Sequence, residues 1–284
     1  MSALGGPAQT AGFQPPTGMG IAVSIILIIV ALALAFFLIQ MAGLLALVGI
    51  VIGGVLIGFG VHFVPVGGAP AAMGQAPGIA TGVAMLAAGA GLAGLFGGAW
   101  AAPLGFPLAL AGGAIGGGLL MAITCTMVNV IYIFGMGIPS ASGKVDKDPI
   151  TGDTFPEFKS QGTEGHGLPF ISWVGGVIGG ALGGLGGTLI YLELLEVYQA
   201  QVLVSASIAV SLAGVFAIGM FLMNAVLAAY NITGTIEGPH DPKFKRFPRA
   251  IIASATASAV AGIFAIALFE VLMVFIESNL MGAL

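Results

Sequence analysis

Two polar loops in the second half of the chain carry its most chemically active side chains. The segment GTEGHGLP places Glu164 close before His166, and the segment EGPHDPKF places Glu237 close before His240. A Glu–His pair of this kind could bind a metal ion or move a proton, because imidazole titrates near neutral pH. Zinc is disfavoured because no cysteine stands near either pair, so the identity of a metal stays open. The alternative is a polar, turn-rich loop that docks against a neighbouring subunit.

The second of these loops also concentrates charge in a chain that has very little of it. Acidic and basic side chains alternate there within a few positions. We therefore treat both loops as candidates for docking or coupling to another protein. The residues concerned are Glu164, His166, Glu237, His240, Asp241, Lys243 and Arg246.

Two asparagines and one glutamate lie inside long apolar segments, where polar side chains are rare and call for an explanation. Asn129 and Asn224 are expected at similar depth before the ends of their segments, and Glu270 is the deepest acidic residue. A polar side chain inside a membrane usually faces other helices or a cavity. Asn129 and Asn224 could form interhelical hydrogen bonds, or together with Glu270 they could line a cation path. The sequence leaves both interpretations open.

No charged side chain is expected at the centre of the bilayer. Residues 1–143 contain no Asp, Glu, Lys or Arg, and no acidic residue of the second half maps to mid-bilayer. If the chain helps to move a cation, we expect a partner to supply the charged ligand. No nucleophile elbow, phosphate loop or dinucleotide fingerprint is found, so the chain is expected to have no catalytic residue of its own.

The composition requires lipid as the solvent. Charged residues make up only 6% of the chain and hydrophobic residues 58%, with a mean hydropathy of +1.12. A soluble domain carries about a quarter charged residues. With a net charge of −4 and no basic patch, nucleic-acid binding is not expected. The predicted fold class is an all-α polytopic membrane protein.

Seven apolar segments are long enough to cross a bilayer, for which a helix needs about 20 residues. Residues 21–63 are twice that length, so a break is predicted near Gln40–Gly43. Residues 1–20 are expected to form a flexible tail and 21–284 a single transmembrane domain. The predicted spans are 21–40, 44–63, 79–98, 105–137, 169–198, 203–230 and 249–276.

The basic residues predict the orientation. All 7 Lys and Arg residues fall between the fourth and fifth spans or between the sixth and seventh. Since Lys and Arg accumulate on the cytoplasmic side, loops 140–168 and 231–248 are expected there, and counting the spans backward places loop 64–78 on the same side. The N-terminus is then cytoplasmic and the C-terminus external. The late acidic residues, including Glu193 and Glu196, are expected near the external interface.

Glycines repeat along the fifth span, in the segment GGVIGGALGGLGG. One row consists of Gly175, Gly179, Gly183 and Gly187, four residues apart, which places them along one side of a helix. Small residues let two backbones approach closely, which favours helix association in lipid. We predict a tightly packed helix contact. The two halves of the chain further suggest a 3+3 inverted repeat, an arrangement found in transporters.

Several loops together resemble one known family. The stretches GVHFVPVGGAPAAM, TGVAMLAAGAGLAGL, DPITG, GTEGHGLP, IGGALGG and YNITGTIEGPHDPKFKR resemble the D subunit of the archaeal tetrahydromethanopterin S-methyltransferase complex. The resemblance runs from about Gly54 to near the C-terminus. The first fifty or so residues depart from it, so the segment 21–40 is an addition to the family's helices.

The resemblance implies a function that composition alone does not. The complex transfers a methyl group from methyl-tetrahydromethanopterin to coenzyme M and couples this transfer to outward sodium movement. A corrinoid carried by another subunit is used, and no cofactor is expected on this chain. The implied partners are the other subunits, especially two further polytopic ones. Rival interpretations are a stand-alone secondary transporter or channel and a purely structural membrane anchor.

Overall fold

The described part of the chain consists of six helices and one pair of very short strands. The strands are β1 (Lys159–Ser160) and β2 (Thr163–Glu164), which pair antiparallel. The computed structural model describes residues 16–64, 90–130, 134–135, 147, 150–152, 159–160, 163–164, 170–200, 205–231 and 247–281. The helices are α1 (Gly18–Gly60), α2 (Ala90–Leu104), α3 (Phe106–Val130), α4 (Phe170–Gln199), α5 (Ala206–Asn231) and α6 (Phe247–Met281).

Length and apolar composition make these helices membrane spans. Within the described residues, 5 helices are long and apolar enough to cross a bilayer, and α2 is a shorter apolar helix. The helices α3 to α6 each begin within three residues of a predicted span. The predicted third span, 79–98, lies partly outside the described residues, and its described part continues to Leu104. The predicted all-α polytopic membrane fold is confirmed.

Helix α1 reverses direction at its middle. Ile39 has φ −133° and Gln40 has φ 55°, so neither is helical. Residues eight apart in a continuous helix are separated by about 12 Å along the axis. A Cβ placed on Gly43, however, would lie only 2.5 Å from the carbonyl oxygen of Ala35. The chain therefore forms an antiparallel hairpin, which we call α1a (residues 18–38) and α1b (residues 41–60). The predicted break near Gln40–Gly43 is confirmed.

The turn of this hairpin is strained at Gln40. A φ of 55° with ψ of −140° belongs to a region that glycine adopts readily and other residues avoid. We expect Gln40→Gly to raise the free energy of unfolding by about 1 kcal/mol, because such strain is worth about 1–3 kcal/mol and glycine's greater unfolded entropy offsets part of it. The thermal unfolding midpoint in detergent measures the change. A lower midpoint for the glycine variant would contradict the strained turn.

Helix α4 lies at the centre of the bundle, between α1b and α3. Gly186 packs against Gly53 of α1b, and Gly184 packs against Gly113 of α3. The backbones approach so closely that an added Cβ would meet carbonyl oxygens of the partner helix. Contacts of this kind bring Cα–H groups onto carbonyl oxygens, which stabilises helix pairs without a hydrophobic driving force.

Longer side chains form hydrogen bonds to neighbouring helices at both ends of α4. Trp173 Nε1 donates to the carbonyl oxygen of Ala122 (3.2 Å) and to Thr126 Oγ1 (3.0 Å) on α3. At the other end, the Tyr198 hydroxyl donates to the carbonyl oxygen of Ala265 on α6 (3.3 Å). These bonds fix the register of α4 against both neighbours.

The outer surface of the bundle is apolar, as a lipid-facing surface must be. Large side chains point outward, such as Phe37 with 80% and Trp100 with 79% of its surface exposed. In water this surface would be unfavourable, whereas in a bilayer it faces hydrocarbon. The structure is therefore that of a protein embedded in a membrane.

Candidate functional site

Of the seven predicted docking or coupling residues, one lies in the described part of the chain. Glu164 lies on β2, and its backbone is opposite Lys159 in the short hairpin. The remaining six candidates lie outside the described residues: His166, Glu237, His240, Asp241, Lys243 and Arg246. Within the described ranges, no three His, Cys, Asp or Glu side chains form a group that could hold a metal ion.

The three candidates for an ion path lie on different helices. Asn129 is half-buried near the end of α3, which packs against α2 and α4. Glu270 is half-buried on α6. Asn224 is fully buried on α5, facing α1b and α6. The two asparagines therefore belong to different helix interfaces, and their shared role stays a prediction.

Asn224 makes two hydrogen bonds through its amide nitrogen. Nδ2 donates to the carbonyl oxygen of Met220 on its own helix (2.9 Å) and to Ser258 Oγ on α6 (2.9 Å). The second bond is an interhelical hydrogen bond, one of the two roles considered for this residue. The amide oxygen Oδ1 is buried and has no hydrogen-bond partner among the described residues.

Two serines of α6 face two glycines of α1b next to this amide. A Cβ on Gly54 would collide with Ser258 Oγ, and a Cβ on Gly58 would collide with Ser254 Oγ. Both serines are fully buried, and Ser254 Oγ has no hydrogen-bond partner within the described part of the chain. Glycine at both positions is what allows polar side chains to lie against the α1b backbone.

His62 closes one end of this interface. It lies just beyond α1b, is fully buried, and its Nδ1 donates to the carbonyl oxygen of Gly58 (2.8 Å). Its ring meets the ring of Phe247 edge to face, with 6.5 Å between centroids. The start of α6 covers His62, which therefore lies inside the bundle.

Glu193 and Glu196 differ in their surroundings. Glu196 is exposed, which agrees with a wetted position near the end of a span. Glu193 is half-buried, and its carboxyl group lies against Gly49 of α1b. Of these two carboxyl groups on α4, therefore, the Glu193 carboxyl faces α1b and the Glu196 carboxyl faces outward.

The four glycines of the predicted α4 row face two different helices. Gly175 and Gly179 lie against the end of α1b, where a Cβ on Gly179 would be 2.5 Å from the carbonyl oxygen of Gly60. Gly183 and Gly187 face the ring of Phe221 on α5, at 3.2 Å and 3.0 Å from their Cβ positions. The first two glycines of the row therefore contact the end of α1b, and the last two contact α5.

Sequence reasoning missed Ser254, Ser258 and their glycine partners. A signal was present, since both serines are four residues apart in the segment ASATASA. Gly54 and Gly58 have the same spacing in α1b. Residues four apart share a helix face, so two matching pairs indicated two faces that could meet.

The comparisons with known proteins agree on one family. The family model that describes the D subunit of tetrahydromethanopterin S-methyltransferase matches residues 43–258. The protein of that name from Methanosarcina mazei is 51% identical over 224 residues, covering 75% of this chain and 90% of the relative. That from Methanothermobacter marburgensis is 54% identical over 210 residues, covering 74% and 90%. That from Methanocaldococcus jannaschii is 43% identical over 219 residues, covering 75% and 91%.

The family match begins directly after the turn of the α1 hairpin. Its first residue is 43, and the non-helical residues are Ile39 and Gln40. The sequence placed the start of the resemblance near Gly54, which is eleven residues too late. Helix α1a therefore lies entirely before the matched region, and α1b lies almost entirely inside it.

Proposed function

The chain belongs to the family of tetrahydromethanopterin S-methyltransferase D subunits, and we propose that it works as a membrane-embedded part of that methyltransferase complex. The complex transfers a methyl group from methyl-tetrahydromethanopterin to coenzyme M and couples the transfer to outward sodium movement. The observation that carries this proposal is the extent of the family match. Residues 43–258 include almost all of α1b, the described parts of α2 to α5 and the first third of α6.

In this proposal the chain contributes a membrane path and not the methyl-transfer centre. The corrinoid is carried by another subunit, and this chain binds no cofactor itself. The buried polar side chains between α1b, α5 and α6 support a path through the bundle. Asn129, Asn224 and Glu270 remain the proposed ion-path residues.

The proposed partners are the other subunits, especially two similarly hydrophobic polytopic ones. The exposed aromatic side chains of α2, Phe96 and Trp100, suit contact with another membrane helix or with lipid. The polar loops at 140–168 and 231–248 are the proposed docking sites on the cytoplasmic side, where loop 64–78 is also proposed to lie. The charged side chains of loops 140–168 and 231–248 would steer and orient a partner that carries the corrinoid.

The proposed orientation predicts where an engineered cysteine is reached. In Ser160→Cys and Pro242→Cys variants, an impermeant thiol reagent should label the new cysteine only from the cytoplasmic side of oriented vesicles. The native Cys125 is buried and should stay unlabelled, so the parent chain is the control. Labelling of either position from outside would overturn the orientation and the number of spans on which it depends.

Coupling is tested with the purified complex in sealed liposomes. The vesicles are inside-out, so that the cytoplasmic side of the complex faces the outer solution. Methyl transfer from methyl-tetrahydromethanopterin to coenzyme M should then drive uptake of radioactive sodium into the vesicles. A sodium ionophore should abolish the accumulation and leave methyl transfer running. Methyl transfer with no accumulation in ionophore-free vesicles would reject sodium coupling.

A purely structural role is the second candidate, and the glycine contacts of α4 favour it. If the chain only anchors the complex, variants at its buried polar residues should leave sodium coupling unchanged. The two candidates therefore differ in one measurable quantity, the amount of sodium moved per methyl group transferred.

A further inference from the structure

The interface between α1b, α5 and α6 contains a polar seam inside an apolar bundle. We define the polar seam by Gly54 and Gly58 of α1b, Asn224 of α5, and Ser254 and Ser258 of α6. All five residues are buried, and three of them carry polar side chains.

The orientation of the Asn224 amide is determined by its neighbours. A carbonyl oxygen can only accept, so the group within 2.9 Å of the Met220 carbonyl must be the NH₂ group. The same nitrogen donates to Ser258 Oγ. Oδ1 is therefore directed elsewhere, and it is buried without a hydrogen-bond partner in the described ranges.

Ser254 supplies a second unmatched oxygen close by. It precedes Ser258 by one helical turn, so both hydroxyl groups lie on the same face of α6. Ser254 Oγ is buried, and no described residue forms a hydrogen bond with it. Buried polar atoms are almost always hydrogen-bonded, and exceptions call for an explanation such as a water or an ion. In a bilayer the need is greater, because lipid offers no hydrogen bonds.

The glycines form the opposite wall of the seam. A Cβ on Gly54 would lie 2.9 Å from Asn224 Nδ2 as well as colliding with Ser258 Oγ. A Cβ on Gly58 would lie 3.1 Å from Ser254 Cβ, besides colliding with its hydroxyl group. Any larger residue would displace the polar groups, so the seam exists only because both positions are glycine.

We propose that the polar seam is a transit site for a small alkali cation that keeps part of its water. Asn224 Oδ1 is a hard neutral oxygen, of the type that alkali and alkaline-earth cations accept in place of water. A retained water molecule of the cation connects it to Ser254 Oγ. Ligands without formal charge bind weakly, which suits a site that must release its ion onward. The inference rests on the proposed sodium-coupled function and assigns the ion a position in this chain.

The experiment compares two seam variants with a matched control in the purified complex. Ser254→Ala removes one unmatched oxygen and nearly keeps the volume, and Asn224→Leu removes the other. The control is Thr256→Ala, because Thr256 Oγ1 donates to the carbonyl oxygen of Ile252 on its own helix. Thr256 is two residues from each serine, so it lies on a different face of α6. Complex assembly is checked by size-exclusion chromatography.

Both seam variants should raise the sodium concentration needed for half-maximal methyl transfer by about tenfold, which corresponds to about 1.4 kcal/mol of binding free energy. The rate at saturating sodium should stay near that of the parent, and the control should match the parent throughout. Sodium curves that coincide for Ser254→Ala and the parent would overturn the site. A parent complex without any sodium dependence would instead reject the proposed function.

A second measurement keeps the proposal testable if Asn224→Leu fails to assemble. A ligand that binds the folded state raises the unfolding temperature. The parent should unfold at a higher temperature in NaCl than in choline chloride of equal concentration, and Ser254→Ala should lose most of this difference. If Ser254→Ala lowers the unfolding temperature equally in both salts, the seam holds only water and the cation proposal is wrong.

Discussion

Replacement of Gly184 by leucine should break the contact between α3 and α4. A Cβ on Gly184 would collide with the carbonyl oxygen of Gly113 and lie 3.2 Å from the Gly117 Cα. The obstacles are backbone atoms, so no rotamer change can make room for the larger side chain. Overpacking usually lowers the free energy of unfolding by about 1–3 kcal/mol, and we expect the upper end here. Thermal unfolding of the purified chain in detergent measures the loss.

The chain offers a matched control for this substitution on α5. No atom of the described residues lies within 4 Å of a Cβ placed on Gly219, and the residue is exposed. Gly219→Leu should therefore change the free energy of unfolding by no more than about 0.5 kcal/mol. If both leucine variants unfold at the same temperature, the close approach of α3 and α4 is wrong.

Tyr198→Ala should produce the largest loss among the side-chain truncations. Tyr198 is fully buried where α4, α5 and α6 meet, and it stacks on Phe269 with 4.1 Å between ring centroids. Removing a large buried aromatic side chain leaves a cavity and lowers the free energy of unfolding by about 3–5 kcal/mol. The unfolding midpoint in detergent should fall accordingly.

Two further variants separate the ring from the hydroxyl group and from general effects. Tyr198→Phe removes only the hydrogen bond to the Ala265 carbonyl and should lower the free energy of unfolding by about 1 kcal/mol. Phe96→Ala removes a ring that is 76% exposed and should have little effect. Equal losses for Phe96→Ala and Tyr198→Ala would show that Tyr198 is not a buried anchor.

The spans were predictable because they depend on local composition. A segment of about 20 apolar residues has to cross the bilayer whatever its neighbours are, so α4, α5 and α6 could be located within a few residues. The break in α1 was predictable from length alone, since 43 residues exceed one crossing. The family was also predictable, because the loop motifs are long and unusual.

The candidate site was predicted only in part. Asn224 was identified because a polar side chain in an apolar run is conspicuous. Ser254 and Ser258 were overlooked, since serine is common in membrane helices and does not stand out. The sequence linked Asn224 to Asn129 by their expected depth, and it gave no sign that the hydrogen-bond partner of Asn224 on another helix is Ser258.

The sequence by itself determined that this protein lies in a membrane, how its helices follow one another and to which family it belongs. These properties depend on composition, segment length and motif identity, none of which requires knowledge of contacts. Only the tertiary structure decided which face of each helix meets which neighbour. The spans are apolar on all sides, so no amphipathic stripe reveals how each helix is rotated about its axis. That rotation turns Asn224 toward α6 and brings Gly54 and Gly58 against two serines, and it is set by backbone contacts between helices far apart in the chain.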